Sequence, residues 1–404
     1  MKRDQPNTMS TTVTMLRRPF RIRFLATLVV GALITYRLLF YTPDQTWLPV
    51  GSNSSGALFR TNSTLGFGTI YVVSKENSPR RHNLLQAANI TELDFTIPVQ
   101  PKWTADDLDG HPNIGKGSLM AWLGHLHSLR LFLESGDETA LILEDDVDWD
   151  IRLRSLQAPL VAGAMRTVLS SKSGSRHTTD MEDEDEGAEY PYGDPALWDL
   201  LYMGHCGDYF HPTSRGFEDG HVKPDDLASI AHISFPDKSL PNFKNLHPWT
   251  ASMLANLGVP EHTRLVHRSV FPLCTFAYAV SRQAAHRLVE ELANLETTNH
   301  TAYDVAILIS CRDQGLRCWS VNPEMFHHLP GKSIIQGIEN ITFVPPVDAM
   351  AREIVELRNE TANIDCGFMN GGFSYPDGDM KRLEYLRKEV ARKGRCLKKG
   401  RGLW

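Results

Sequence analysis

The run Ala140-Leu141-Ile142-Leu143, followed without a turn signal by Glu144-Asp145-Asp146-Val147-Asp148, constrains this chain more than any other segment. Four consecutive apolar residues read as a strand buried on both faces. The abrupt change to carboxylates marks where its carboxyl end meets solvent or a ligand, and in open α/β sheets ligands bind at that end. Successive strand side chains alternate faces, so the pattern predicts Glu144 and Asp146 on one face and Asp145 on the other. Two carboxylates held together repel. A divalent cation, which prefers oxygen ligands and can bridge to substrate phosphates, relieves that repulsion. The same residues can also be read as an acidic strand-to-helix turn that caps the next helix.

The rest of the chain supplies partners for such a strand. Gly68–Val73 is a β-branched and aromatic run that reads as a buried strand, and Pro79–Ala88 reads as a helix with Pro near its first turn. From Lys116 to Glu134 apolar residues recur at 119, 122, 123, 126, 129, 131 and 133, and Gly136 ends that helix. Further strands are expected at Trp198–Gly204, Phe276–Val280 and Arg317–Val321, and further helices at Arg282–Leu295 and Tyr303–Cys311. This alternation predicts an α/β sheet with parallel pairs flanked by helices. No internal repeat is visible. Residues 170–195 break the pattern: seven acidic side chains fall within 180–189, which reads as a disordered loop, a calcium or partner site being the other reading.

The N-terminal part has a different character. Phe24 to Tyr41 contains one charge, Arg37, in 18 residues, and Arg17, Arg18, Arg21 and Arg23 precede it. Spanning a bilayer takes about 20 apolar residues. The stretch therefore predicts a single-pass type II signal anchor over 24–41, with a cytosolic basic tail at 1–23 and the remainder lumenal. A cleaved signal peptide is the rival, but no small-x-small cleavage site follows closely. Residues 42–67, rich in Ser, Asn, Thr, Gly and Pro, read as a lumenal stem. Sequons begin at Asn53, Asn62, Asn89, Asn299, Asn340 and Asn359, all beyond the apolar stretch, as are all six cysteines. Six cysteines in an oxidising lumen allow three disulfides, with Cys311–Cys318 a plausible local pair and Cys366–Cys396 able to staple the C-terminal tail. No C-x-x-C spacing points to structural zinc.

Charge excludes one class of function. The formal net charge is −6, yet residues 1–23 balance at +5 and residues 381–404 at +8, which leaves −19 on the residues between. An acidic body of that kind is a poor surface for nucleic acid, so no nucleic-acid partner is expected.

Taken in order, Ile70-Tyr71-Val72-Val73, Pro79-Arg80-Arg81, Gly117 to His125, Leu141 to Val147, Trp198 to Gly204, Cys274 to Ser281, and Asp304 resemble glycosyltransferase family 25. That family includes bacterial lipooligosaccharide galactosyltransferases and collagen hydroxylysine galactosyltransferases. The resemblance covers roughly residues 68–340 and departs at one block. Where the family has G-E-x-G-C-x-x-S-H, only Gly117 and His125 fit. A lumenal anchor, stem and acidic insert point to a eukaryotic, fungal-type branch, so the acceptor is not inherited from the best-known members.

The resemblance implies a GT-A-type nucleotide-binding sheet over 68–345, preceded by the transmembrane helix and stem, with 346–404 as a C-terminal extension. It implies a UDP-sugar donor, Mn²⁺ or another divalent cation, and a glycan or glycoprotein acceptor. Glu144-Asp145-Asp146 takes the place of the metal-binding acidic motif, with Asp146 as principal ligand and Glu144 beside it. The metal would act as a Lewis acid on the departing diphosphate. Arg81, with Arg80 as second choice, would contact the nucleotide by a charge-assisted hydrogen bond. Asp304 is the candidate base for an inverting transfer of a hexose such as galactose, its other reading being a helix-start residue. His125 is a second catalytic candidate or a core histidine. His327 and His328 could complete the metal shell, and Lys332 with Ser333 could grip a phosphate, or all four could belong to a polar loop.

A catalytically silent lumenal carbohydrate-binding or chaperone-like protein of the same fold is the alternative. A metal-dependent hydrolase would need H-x-D or H-x-x-x-H spacing, which is absent. The expected location is the Golgi or endoplasmic reticulum membrane. Donor sugar, acceptor, linkage and oligomeric state are not legible.

Overall fold

The computed structural model describes residues 61–104, 109–170, 189–208, 224–329 and 359–401. It begins with β1 (Thr69–Val73), α1 (Arg81–Thr91), α2 (Lys116–Ser135), β2 (Thr139–Glu144) and β3 (Val147–Trp149). Next come α3 (Ala158–Ser170), β4 (Leu200–Gly204), β5 (Gly207–Asp208), α4 (Pro224–Ala228) and β6 (His232–Pro236). They are followed by α5 (Pro248–Asn256), β7 (Thr263–Arg268), β8 (Pro272–Leu273), β9 (Ala277–Ser281) and α6 (Arg282–Arg287). The last are α7 (Tyr303–Arg312), β10 (Cys318–Asn322), β11 (Phe326–His328) and α8 (Met380–Tyr385).

Seven strands form one sheet in the order β1-β2-β9-β4-β10-β7-β6. Its two faces follow directly from strand alternation. Ile70, Val72, Leu141, Leu143, Leu201, Met203 and Ala279 share a core with α1 and α3. Tyr71, Ile142, Leu200, Tyr202, Tyr278 and Val280 share the other core with α2, α6 and α7. Helix α2 runs as its periodicity predicts and stops where Gly136 takes a φ of 85°, a left-handed conformation that glycine adopts without steric cost.

The expected architecture, a GT-A-type sheet with parallel pairs preceded by a transmembrane helix and stem, is corrected in two respects. The sheet is mixed: β1–β2 and β4–β10 are parallel, while β9 lies antiparallel to both β2 and β4, and β7 is antiparallel to β10 and β6. Hydrophobic periodicity carries no information on strand direction. Direction is set by which end of the sheet the preceding connection returns to, and the long excursion from β4 to β9 returns at the same end that β4 leaves. Second, no helix among the described residues is long and apolar enough to cross a membrane. The segment 24–41 lies outside the described residues, as does the stem up to residue 60. The stem's last residues are core, with Leu65 and Phe67 buried and Phe67 stacked on Tyr192 at 4.4 Å. Tyr192 in turn falls within the stretch expected as an acidic loop, of which 171–188 are outside the described residues.

Residues 359–401 are hung on the chain that follows β2. Asp148 accepts hydrogen bonds from Thr361 Oγ1 (2.6 Å), Phe368 N (2.8 Å) and Met369 N (3.2 Å). Two residues on, Asp150 accepts from Cys366 N at 2.8 Å. Two further, Arg152 donates to Asp365 Oδ2 at 3.1 Å. Alternate residues of one extended segment thus anchor the same downstream loop, and α8 with the turn after it, Leu386–Ala391, closes over α1. Burial alone would raise the Asp150 carboxyl, but the Arg152 guanidinium and the backbone donors hold it below its ordinary value.

All six cysteines are paired, as Cys206–Cys274, Cys311–Cys318 and Cys366–Cys396. The four sequon asparagines among the described residues, Asn62, Asn89, Asn299 and Asn359, are all exposed. Their hydroxyl residues differ. Thr91 is buried and donates to Ala87 O, and Thr361 is buried on Asp148, whereas Thr301 is exposed beside Asn299. If the chain matures where N-glycans are added, Asn299 is expected to carry one. Site-resolved mass spectrometry before and after glycosidase treatment checks this, and a wholly unmodified Asn299 in secreted or lumenal material would refute it.

Candidate active site

Strand β2 ends at Glu144, and Asp145 and Asp146 form the turn into β3. That turn decides where the three carboxylates go. Glu144 keeps the parity of Ile142 and Ala140 and faces α2 and α7. Asp145 and Asp146 leave strand geometry and both turn toward the start of α1. Arg80 lies 2.8 Å from Asp146 Oδ2 and 3.7 Å from Asp145 Oδ1. Asp145 Oδ2 also accepts from Ser74 Oγ at 2.6 Å, at the end of β1.

The two arginines have different partners. Arg81 donates from Nε to Ser74 Oγ (2.8 Å) and from Nη2 to Ser74 O (3.1 Å), so it braces the β1 terminus. Arg80 is the one that meets the carboxylates directly.

Glu144 is held by a buried relay. His125 Nε2 lies 3.6 Å from Glu144 Oε1, and His125 Nδ1 lies 3.3 Å from the Tyr278 hydroxyl, itself 2.8 Å from the Tyr303 hydroxyl. The imidazole stacks on Tyr303 with centroids 4.5 Å apart. Thr275 Oγ1 donates to Glu144 Oε1 at 3.3 Å. Burial works against the Glu144 charge, but His125 and Thr275 outweigh it and the carboxyl titrates below its ordinary value. His125 is thus a buried histidine set between Glu144 and the two tyrosines.

Asp146 has the opposite electrostatics. Burial, and then the Glu144 charge, push its carboxyl up to about 7 against the pull of Arg80. Its Oδ1 is buried with no hydrogen-bond partner. A buried carboxylate oxygen without a donor is costly, and a proton or a cation is what would satisfy it.

Asp304 sits in the first turn of α7, half-buried, and its Oδ1 accepts from Val305 N at 2.9 Å. Burial raises its carboxyl, with Glu144 adding to the rise, while the Cys274 backbone donates to it. Cys274 is placed by its disulfide to Cys206, in the loop whose next residue, Thr275, meets Glu144. One loop therefore serves both carboxylates.

The paired histidines stack on one another, ring centroids 5.1 Å apart, but make different polar contacts. Strand β11 pairs with β3 so that His328 lies opposite Val147 and His327 opposite Asp148, with Leu329 N donating to Asp146 O at 2.7 Å. His328 is kept neutral at neutral pH, its pKa lowered to about 4 by burial and by His327. With Nδ1–H donating to Leu329 O at 3.0 Å, Nε2 carries the lone pair, an orientation shared with many metal-ligating histidines. His327 is committed elsewhere: its Nδ1 lies 2.5 Å from Glu324 Oε1, which also accepts from Asn363 Nδ2 at 2.8 Å. Burial opposes the Glu324 charge, but His327 and Asn363 help hold its carboxyl down at about 2. His327 Nδ1 is therefore engaged by Glu324. Lys332 and Ser333 lie outside the described residues.

Among the described residues, no three His, Cys, Asp or Glu side chains converge as a ready metal shell. The donor set instead fits an ion of the Mg²⁺ or Mn²⁺ kind, which one or two carboxylates hold and substrate phosphates complete. The orphaned Asp146 Oδ1 and the nearby Glu144 would hold such an ion, with His328 adjacent. Ser74, Thr275, Tyr278 and Tyr303 are the members that sequence reasoning missed. Each lies in or beside an apolar run and gives no local signal.

No family model matches the chain, and comparison with curated proteins likewise gives no match.

Proposed function

We propose that the chain is a glycosyltransferase that moves a hexose from a UDP-sugar to a glycan or glycoprotein, with inversion. The observation that carries this reading is the buried, partnerless Asp146 oxygen at the end of β2, flanked by Arg80 and Glu144 and with a second raised carboxyl, Asp304, on the Glu144 side. A divalent cation bound by Asp146 and Glu144 would supply Lewis-acid neutralisation of a leaving diphosphate. Arg80 adds a permanent positive charge on the same side. The acceptor hydroxyl would approach from the Glu144 side and pass its proton to Asp304. Its raised pKa makes that carboxylate a better base than an exposed aspartate. His125, Tyr278 and Tyr303 keep Glu144 in place and exclude water behind it. Three disulfides support an oxidising compartment as the place of work.

Donor hydrolysis and transfer measured across several UDP-hexoses, with Mn²⁺ or with EDTA, test the proposal. Turnover is expected with Mn²⁺ and is lost with EDTA. In Asp304→Asn the rate should fall by about 10²–10⁴, the usual contribution of a general base, with little change in KM. Binding of UDP-sugar without any turnover would favour a silent carbohydrate-binding protein. If no UDP-sugar binds or reacts, the glycosyltransferase reading fails.

A further inference from the structure

We propose that the cleft between α1 and the loop 368–374 is the pocket for the nucleoside of the donor, an assignment that rests on the glycosyltransferase reading. The cleft has a volume of about 440 Å³, within the roughly 300–1,000 Å³ usual for small-molecule sites. Its inner wall is α1, which presents Asn83 and the apolar Leu84 and Ala87. Its outer wall is the C-terminal segment from Phe368 to Ser374.

The cleft's place relative to the carboxylates selects its occupant. Arg80 and Asp145 line it, whereas Glu144, Asp304 and His125 do not. The reacting hydroxyl and the sugar carbon belong on the side of Glu144 and Asp304. A diphosphate held at Asp146 and Arg80 can lead away from them into this cleft, because Arg80 also lines it. An acceptor glycan placed there would be separated from the base by the whole acidic turn.

The lining suits a flat heterocycle joined to a sugar. Phe368 is only partly buried and is held edge-on to Phe373 at 5.4 Å and to Trp149 at 5.6 Å, so it offers a fixed aromatic surface. Base stacking on such a ring is tolerant of base identity. Asn83 on α1 and Asn370 on the loop are exposed amides that can meet base edges or ribose hydroxyls. The wall is built in advance. A Cβ on Gly371 would lie 2.0 Å from a Phe373 ring atom, so the loop can follow its path only with glycine there. Asp148, which also lines the cleft, grips Phe368 N and Met369 N. A preset wall lowers the ordering cost of binding.

The test compares two probes on the full chain with Mn²⁺, using calorimetry: UDP, and inorganic pyrophosphate, which lacks the nucleoside. Phe368→Ala and, separately, the surface change Asn83→Ala are expected to weaken UDP binding, by roughly tenfold for Phe368→Ala. Pyrophosphate binding should stay as in the wild type for both variants. The thermal melt should stay so for Asn83→Ala, whereas Phe368→Ala is expected to melt lower because it gives up its packing on Trp149 and Phe373. Asp304→Asn should leave UDP binding unchanged. If both cleft variants bind UDP as the wild type does, or if they lose acceptor-sugar binding in place of UDP, the nucleoside assignment is overturned while the proposed function stands. If the wild type binds neither UDP nor pyrophosphate, the proposed function falls and this assignment with it.

Discussion

Asp146→Asn is expected to lose catalysis and gain stability, and to do so in a pH-dependent way. The loss follows from removing the carboxylate oxygen offered to the cation. Metal stabilisation of a leaving diphosphate is worth several kcal/mol, so the rate should fall by about 10²–10³. The gain follows from the carboxyl's position near 7, raised from 3.8 by burial and by Glu144. A carboxyl raised on folding takes up a proton more readily in the folded than in the unfolded chain. Its contribution therefore declines as pH rises from about 4 to about 7, and above 7 the folded protein carries the full cost of the buried charge.

A neutral side chain escapes that cost but loses the Arg80 ion pair at 2.8 Å. A three-unit shift corresponds to about 4 kcal/mol. With the ion pair forfeited and 21% of the side chain still exposed, a net gain of about 1–2 kcal/mol is the expected result. Thermal melts in EDTA should show the variant above the wild type at pH 8 and no better than it at pH 5. Equal pH profiles, or an Asp146→Asn protein that retains Mn²⁺-dependent turnover, would remove Asp146 from the metal site.

Asp148→Ala is expected to be the most destabilising single change near the site. Asp148 is 2% exposed and accepts from Thr361 Oγ1, Phe368 N, Met369 N and its neighbour Trp149 N. Truncation strands donors that lie 213 to 221 residues away in sequence but cannot reach water while the loop stays docked. Each buried unpaired group costs about 1–3 kcal/mol, and partial undocking relieves some of that, so a loss of about 3–5 kcal/mol is expected. Urea unfolding gives the magnitude, and limited proteolysis gives the place, with cleavage concentrated within 359–374. A change under about 1 kcal/mol would mean that the loop is held by the Cys366–Cys396 disulfide and the Asp150–Arg152–Asp365 cluster alone. The prediction also separates neighbouring carboxylates: Asp146 is expected to matter for chemistry, Asp148 for folding.

Local order fixed much of this protein in advance. The apolar run into Glu144 names a strand that ends in carboxylates, because four apolar residues must be buried and four acidic side chains resist it. The spacing of Leu119, Trp122, Leu123, Leu126 and Leu129 names α2, because a 3.6-residue period leaves one face to cover. A sequence separation of 7 between Cys311 and Cys318 names a local disulfide.

Tertiary structure decided the rest. Whether Arg80 or Arg81 meets the acidic turn is a difference of one residue, about 100° of helix rotation, set by how α1 packs on Leu143 and Trp149. Strand parity placed Asp146 with Glu144, but the chain leaves the strand at Glu144, and the turn sends both aspartates to Arg80. The relay of His125, Tyr278 and Tyr303 joins three elements through buried hydroxyls, and side chains of that kind look like any other core aromatic until their partners are in place. The same holds for Asp148 and Asp150, whose partners lie some 215 residues downstream. Sequence by itself determined which residues must be buried and where carboxylates break the surface of the core. Only packing across distant segments determined which carboxylate oxygen is left without a donor, and the orphaned Oδ1 of Asp146 is what the proposed chemistry uses.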